Sequence, residues 1–154
     1  MRTVLLFFIL LSVCTAHAQT STFRLTDSTF TKNATYSCKT FDFYNACINQ
    51  FDRARIDSIK KILRLNKSIK IQITCHTDQR GNAAYNKALS EKYAVRLKQM
   101  LVDSTIAKNR ITTIGYGENK PLVDIKTIES YKTNKEKELA YEQNRRIEIT
   151  ITDL

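Results

Sequence analysis

Two segments of the chain alternate strictly between apolar and polar residues. Three isoleucines and Cys75 alternate with polar residues over positions 68–76, and three further isoleucines alternate in the same way over positions 146–152. This two-residue period is that of a half-buried β-strand. Positions 36–43 and 111–115 also have the composition of strands. The sequence therefore predicts four strands, and the alternation gives their sheet one polar face.

Helical spacing of apolar residues lies between the predicted strands. Apolar residues recur every three or four positions over 51–65, and every four positions over 89–101, which is the period of a helix with one buried face. Asn82 is a favoured N-cap residue for the second helix, and Thr133 with Glu136 has the capping-box spacing of a short third helix. The predicted fold is α+β: a two-layer α/β sandwich in the order βαβαβ(α)β, in which a mixed four-stranded sheet carries helices on one face.

The N-terminus has the order of a secretory signal peptide. Arg2 precedes an apolar run over 4–13 that is too short to span a bilayer comfortably, and a small-x-small sequence follows at 16–18. We therefore predict a signal peptide over residues 1–18, which is cleaved before Gln19.

This cleavage organises the rest of the chain. Residues 19–35 are rich in Ser and Thr and form a tether or a weak leading strand, and residues 36–154 form one domain. No later segment is long and apolar enough for a transmembrane helix. Lipidation at Cys14 is the alternative to simple cleavage, and Val13 disfavours it because a lipoprotein site has a small residue before the cysteine.

The chain is strongly basic, with a formal net charge of +10 that falls by one, to +9, when Arg2 leaves with the signal peptide. In a cytoplasmic protein this charge would indicate nucleic acid as the partner. Export favours an anionic polymer or surface of the cell envelope instead. The sequence therefore predicts no nucleic-acid partner.

Cysteine and histidine form no catalytic or metal-binding pattern. The mature chain keeps Cys38, Cys47 and Cys75, and His76 is its single histidine. No CxxC spacing indicates zinc, and strand neighbours such as Cys75 and His76 point to opposite faces, which separates thiol from imidazole. We predict no enzyme activity, no cofactor and no metal. At most one intramolecular disulfide is expected; Cys47 with Cys75 is one arrangement, and three free thiols is the other.

All three glycines and the single proline fall in two clusters. The first cluster is His-Thr-Asp-Gln-Arg-Gly at positions 76–81, and Asn-x-x-Leu-Ser follows at 86–90. The second is Gly-Tyr-Gly-Glu at 115–118 with Pro121, and Asn-Arg-Arg follows at 144–146.

In order and spacing these segments resemble the OmpA-like peptidoglycan-binding domain over about residues 40–153. That family has a Gly-His-Thr-Asp-x-x-Gly turn, an Asn-x-x-Leu-Ser-x-x-Arg-Ala helix, a Gly-x-Gly-Glu-x-x-Pro loop and a closing Asn-Arg-Arg strand. Each motif alone is a weak signal, whereas four in order with the matching predicted elements indicate the family.

The resemblance implies a binding site for the stem peptide of peptidoglycan, chiefly for its diaminopimelate residue. Diaminopimelate ends in a zwitterion, so its recognition takes one anionic and one cationic group that are held rigidly. The resemblance assigns the ligand's ammonium to Asp78, with help from Thr77 and Asn86. It also assigns a supporting role to one arginine of the pair Arg145 and Arg146, and the sequence leaves open which one. Taken without the motif, Asp78 would be a turn aspartate that bonds its own backbone.

One position departs from the family pattern. The family's helix arginine, which would face the ligand's carboxylate, is Tyr93 here, although Ser90 and Ala94 around it still match. A tyrosine offers a hydrogen bond but no positive charge. Arg96, one turn further along the helix, is a candidate substitute, although a solvated surface charge is the simpler interpretation.

The predicted function is non-covalent binding of the peptidoglycan stem peptide in the periplasm, with outer-membrane association, so that the protein anchors or organises the cell envelope. The predicted partners are peptidoglycan and other envelope proteins. Tyr93 favours the alternative, a degenerate OmpA-like domain that acts as a protein-interaction module in an envelope assembly without binding the wall.

Overall fold

The structure, a computed structural model, describes residues 21–39 and 50–154. The predicted signal peptide lies outside these residues, as do Cys47 and the second half of the strand predicted over 36–43. The described helices and strands are, in chain order, β1 (Thr35–Lys39), α1 (Gln50–Leu65), β2 (Lys70–His76), α2 (Ala83–Leu101), β3 (Ile111–Gly117), α3 (Ile125–Ser130), α4 (Asn134–Asn144) and β4 (Arg146–Asp153).

The strands form one mixed sheet in the order β1-β4-β2-β3. β4 is antiparallel to both β1 and β2, whereas β2 is parallel to β3. The parallel pair needs a crossover, which α2 supplies by packing against both strands. The predicted α+β fold with a mixed four-stranded sheet is confirmed.

The core lies between the sheet and the helices α1 and α2. Alternate residues of β2 and β4 point into it, as the two-residue period predicted. Its largest fully buried apolar side chains are Leu63, Ile73, Leu97, Leu101, Ile106, Ile111, Ile147, Ile149 and Ile151. The predicted polar face is polar but not uniformly exposed, because Thr74, His76 and Arg146 on it are buried.

A row of three residues crosses the sheet beside this core. Ile147 of β4 is opposite Cys38 of β1 on one side and Cys75 of β2 on the other. Two interstrand spacings of about 4.8 Å separate the cysteines, which exceeds the Cα separation that a disulfide spans. Cys75 is a free thiol, and burial raises its pKa to about 12. The sheet thus excludes a Cys38–Cys75 disulfide, and the free thiol of Cys75 does not agree with the Cys47–Cys75 arrangement, although Cys47 itself lies outside the described residues.

α2 lies very close to β3. A Cβ added at Gly115 would lie 2.2 Å from the backbone N of Glu91 and 2.5 Å from Oγ of Ser90. The same Ser90 hydroxyl, fully buried, accepts a hydrogen bond from the backbone N of Gly117 at 2.8 Å. Only glycine at position 115 permits this approach, which fixes the middle of α2 against the end of β3.

The sequence missed one α-helix and misplaced two strand ends by two residues each. β2 begins at Lys70 instead of residue 68. α3 was not predicted; Asp124 caps it, and it buries a single apolar side chain, Ile128. Such a short helix carries too little periodicity to be recognised. β3 continues to Gly117, two residues beyond its predicted end. The capping box of Thr133 with Glu136 is confirmed at the start of α4.

Residues 21–34, for which a tether or a weak leading strand was expected, contact the domain in the structure. Phe23 and Ala34 are buried in the core, and Thr22 forms one parallel bridge with Thr35 of β1.

Candidate functional site

The candidate site is the turn between β2 and α2, where the first glycine cluster falls. The backbone N of Thr77 donates to the carbonyl oxygen of Gly117 at 3.0 Å, which holds the end of β2 to the end of β3. Gly81 has φ +99°, a backbone conformation that residues other than glycine rarely adopt. Asn82 then caps α2 by accepting from the backbone N of Ala84 and Tyr85, so the predicted N-cap is confirmed.

Asp78 lies in this turn between two guanidinium groups. Its side chain is only 9% exposed, and its Oδ2 accepts from Nη2 of Arg80 at 2.7 Å, from Nε of Arg80 at 3.2 Å, and from Nη1 of Arg145. Its Oδ1 accepts from the backbone N of Arg80 at 3.0 Å. Burial alone would raise the pKa of Asp78, but the hydrogen bonds from Arg80 and Arg145 outweigh it and hold the pKa below its ordinary value. Asp78 is therefore a carboxylate at neutral pH.

Glu138 of α4 closes the other side of the same two arginines. Its Oε2 accepts from Nη1 of Arg80 at 2.9 Å, and its Oε1 accepts from Nη2 of Arg145 at 2.7 Å. The guanidinium of Arg80 also lies 4.5 Å above the ring of Tyr141. The four charges form one cluster, in which each guanidinium joins a buried carboxylate to an exposed one.

Asn86 of α2 stabilises the turn through its side-chain amide. It is buried in the first turn of α2, and its Nδ2 points to the carbonyl oxygens of Asp78 and Arg80, at 3.3 and 3.1 Å, and to Oε2 of Glu118 at 2.6 Å. Asn86 is therefore not an exposed amide on the surface of the helix. Its contacts hold the backbone of the turn in place.

Asn144 links the turn to the chain after β3. Its side chain is fully buried; Oδ1 accepts from the backbone N of Leu122 and Val123 at 2.8 and 2.9 Å, and Nδ2 donates to Oε1 of Gln79 and to the carbonyl oxygen of Val123 at 2.8 and 2.7 Å. Arg145, the next residue, is thereby placed beside Asp78.

The two closing arginines point to different places. Arg145 reaches Asp78, whereas Arg146 begins β4 on the polar face, where its Nε donates to Oε1 of Glu148 at 2.7 Å. Nε2 of His76 lies 3.5 Å from Oε2 of the same glutamate. This contact with His76, together with the guanidinium of Arg146, lowers the pKa of Glu148 to about 2. Of the two arginines between which the sequence left the choice open, Arg145 is the one that contacts Asp78, and Arg146 lies on the polar face of the sheet.

Two other residues of the predicted site, Thr77 and Tyr93, have side chains that are wholly or partly buried. Thr77 is buried, and its Oγ1 makes no hydrogen bond within the described part of the chain. Tyr93 is half-buried and packs against the hydrophobic core from α2. Three residues of the site had no role in the sequence interpretation: Arg80, Gln79 and Glu138. Arg80 and Gln79 stand inside the turn motif, which was the available signal, whereas Glu138 lies between motifs.

Among the residues that the structure describes, no group of three or more His, Cys, Asp or Glu side chains is placed to hold a metal ion. The cluster at Asp78 pairs each carboxylate with guanidinium groups instead. Such an arrangement suits the recognition of charged groups.

Residues 40–135 match the model of the OmpA family, and the chain belongs to this family. The match spans the turn at Asp78, the whole of α2 and the second glycine cluster.

Named relatives agree with this assignment. Outer membrane porin F of Pseudomonas fluorescens is 31% identical over 111 residues, which are 72% of this chain and 31% of that protein. The peptidoglycan-associated lipoprotein of Buchnera aphidicola is 30% identical over 102 residues, 66% of this chain and 59% of that protein. The chain thus spans from a third to three fifths of these relatives. The crystal structure of the peptidoglycan-associated lipoprotein from Burkholderia pseudomallei shares the fold, with a TM-score of 0.58 at 23% identity over 75% of this chain and 88% of that one.

Proposed function

We propose that this domain binds the peptidoglycan stem peptide non-covalently, at its diaminopimelate residue, and so anchors or organises the cell envelope. Membership of the OmpA family and the name of the peptidoglycan-associated relative support this proposal. The observation that carries it is the cluster at the β2–α2 turn, where Asp78 is held between two guanidinium groups.

The cluster contains both charges that a zwitterion requires. Oδ1 of Asp78 accepts one backbone hydrogen bond among the described contacts, and a carboxylate oxygen has capacity for more. A ligand ammonium is its natural donor. Arg80 and Arg145 supply the positive charge for the ligand carboxylate, which Tyr93 does not provide. Thr77 and Asn86 serve by shaping the turn, and Arg146 serves by fixing the start of β4.

The electrostatics favour binding over catalysis. Burial works against ionisation of Asp78, yet its arginine contacts hold its pKa below the ordinary value, and the hydrogen bond from Arg145 lowers the pKa of Glu138. A general acid at neutral pH needs a raised carboxyl pKa. Carboxylates that stay ionised suit a site that recognises charged groups of a ligand, so we assign the domain no enzymatic role.

The proposed location is the periplasm, in association with the outer membrane. Relatives are named as outer membrane and peptidoglycan-associated proteins. Within residues 21–39 and 50–154, no helix combines the length and apolar character that crossing a membrane demands. A location between the wall and the outer membrane would bring the domain to its ligand.

The alternative function is a protein-interaction module without wall binding. Tyr93 favours it, since an aromatic side chain packed on the core replaces the family's charged group. The segment after β3 also exposes three large apolar side chains: Leu122 at 61%, Ile125 at 39% and Leu139 at 51%. Exposed apolar groups of this kind are typical of protein contacts.

Co-sedimentation with purified sacculi separates the two functions. Asp78→Asn keeps the shape of the side chain but removes the charge that the two arginines and the ligand ammonium need. A charge-assisted hydrogen bond is worth roughly 1.5–3 kcal/mol, so the variant should bind at least about tenfold more weakly. Asp57→Asn, at an exposed position on α1, is the matched control and should bind like the wild type.

Near-ultraviolet circular dichroism of the variant establishes that it is folded. Equal binding by the wild type and by folded Asp78→Asn would rule out the cluster as the ligand site, and the interaction module would then replace the first proposal.

A further inference from the structure

Glu138 occupies a position that the ligand's own carboxylate would need. Its two oxygens bind one nitrogen of Arg80 and one of Arg145, at 2.9 and 2.7 Å. The remaining nitrogens at these contacts, Nη2 and Nε of Arg80 and Nη1 of Arg145, face Asp78. A carboxylate that bridges two guanidiniums from outside has the geometry of a bound anionic ligand.

The two carboxylates differ in how firmly they are held. Asp78 is buried, 9% exposed, and accepts an additional backbone hydrogen bond inside its own turn. Glu138 is 48% exposed on α4, and its described contacts at this cluster are those two guanidiniums. Exposed ion pairs contribute little to stability and exchange readily with solvent and other ions. Glu138 is therefore the replaceable member of the cluster.

The arginines stay in place without Glu138. Arg80 retains two hydrogen bonds to Oδ2 of Asp78 and its position 4.5 Å above the ring of Tyr141. Arg145 retains its bond to Asp78 and directly follows the buried Asn144. With Glu138 withdrawn, two guanidiniums and one carboxylate leave the cluster one positive charge in excess, which is complementary to an incoming carboxylate.

We propose that Glu138 is an internal competitor for a carboxylate subsite formed by Arg80 and Arg145, and that a free ligand carboxylate displaces it on binding. This inference rests on the proposed function, since it concerns the same site. It gives the site a specificity: a stem peptide whose terminal group is a free carboxylate can take the place of Glu138, whereas a neutral carboxamide cannot. The cation that the family carries on α2 is supplied here from the turn and from the residue before β4.

The test is isothermal titration of two synthetic stem peptides that end in diaminopimelate, one with a free terminal carboxylate and one with a carboxamide. Glu138→Gln removes the competing charge from an exposed helix position, where folding tolerates the change. We expect it to bind the free carboxylate roughly threefold to tenfold more tightly than the wild type, and to show no such gain for the carboxamide. Glu142→Gln is the control: it lies one turn along α4, its side chain is 39% exposed, and it pairs with Lys39 outside the cluster.

Each outcome decides the matter. A gain in affinity that occurs only in Glu138→Gln and only for the peptide with the free carboxylate supports the role of Glu138 as a competitor. This holds also when the wild type binds too weakly to measure. Wild-type binding that Glu138→Gln leaves unchanged or weakens overturns the competitor and leaves the proposed function standing. An absence of binding by every folded variant, to both peptides, overturns the competitor and the proposed function together.

Discussion

Asn144 should be the most important polar side chain for the stability of the site. It is fully buried and makes four hydrogen bonds, three of them to the backbone of residues 122 and 123 and one to Gln79. Asn144→Ala removes all four. The backbone N–H groups of residues 122 and 123 and Oε1 of Gln79 lose this partner, whereas the carbonyl oxygen of Val123 still accepts from Nε2 of Gln79 at 2.9 Å. At roughly 1 kcal/mol net for each bond, the free energy of unfolding should fall by about 3–4 kcal/mol.

For a domain of this size such a loss corresponds to a fall in Tm of roughly 10–15 °C. Urea denaturation followed by far-ultraviolet circular dichroism gives the free energy, and a thermal scan gives Tm. Asn134→Ala is the matched control, because Asn134 is an exposed residue in the first turn of the same helix and should cost less than about 0.5 kcal/mol.

Asn144→Asp tests the two hydrogen bonds that Asn144 donates separately from the two that it accepts. The aspartate keeps both accepted bonds from the backbone of residues 122 and 123, but it turns a carboxylate oxygen towards Oε1 of Gln79 and the carbonyl oxygen of Val123. It should therefore destabilise the domain at neutral pH despite its nearly identical shape. A loss below about 1 kcal/mol for Asn144→Ala would refute the argument, since it would mean that solvent replaces the four bonds without cost.

Two further predictions concern the glycines and the polar face of the sheet. Gly115→Ala should lower the free energy of unfolding by at least about 3 kcal/mol, because its Cβ would collide with backbone and side-chain atoms of α2. Gly81→Ala has open space around its Cβ and should lower it by only about 1–2 kcal/mol, through backbone strain. Urea denaturation of both variants compares the two losses, and equal losses would contradict the close packing of α2 on β3. The folded-state pKa of Glu148 is about 2, below its ordinary 4.5, so its ionised form stabilises the fold above about pH 4.5 and this contribution is lost as pH falls towards 2. The stability gap between wild type and Glu148→Gln should therefore shrink from pH 5 to pH 2, and a constant gap would show that the contacts of Glu148 with His76 and Arg146 do not lower its pKa.

The sequence predicts the sheet and the main helices of this domain because their signals are local. Alternation over 68–76 and 146–152 defined β2 and β4 to within two residues, and the cap at Asn82 defined the start of α2. Strand order, by contrast, depends on contacts between distant segments. The pairing of β4 with both β1 and β2 leaves no mark on any one segment, and the sequence did not predict it.

The site divides in the same way. The motifs identified Asp78 and the two closing arginines as candidates, but they did not show which side chain each of these residues contacts. Arg145 and Arg146 are adjacent and chemically identical, and only the position of the chain after Asn144 decides that the first reaches Asp78. Glu138 comes to the site by the fold of the segment between Pro121 and Asn144. The capping box predicted α4, which carries Glu138, but nothing in the sequence placed that helix beside the turn.

The position of β4 in the sheet has a consequence for how the chain becomes folded. It is the last strand in the sequence, yet it lies between β1 and β2, so β1 lacks this neighbour, and β2 has only β3 beside it, until residues 146–153 have arrived. Contacts between the two ends of a chain form late, since the intervening loop must close first. A chain that ends before residue 146 would therefore leave β1 without this partner strand and one edge of the β2–β3 pair uncovered. The two halves of the sheet are joined only when the last segment of the chain is in place.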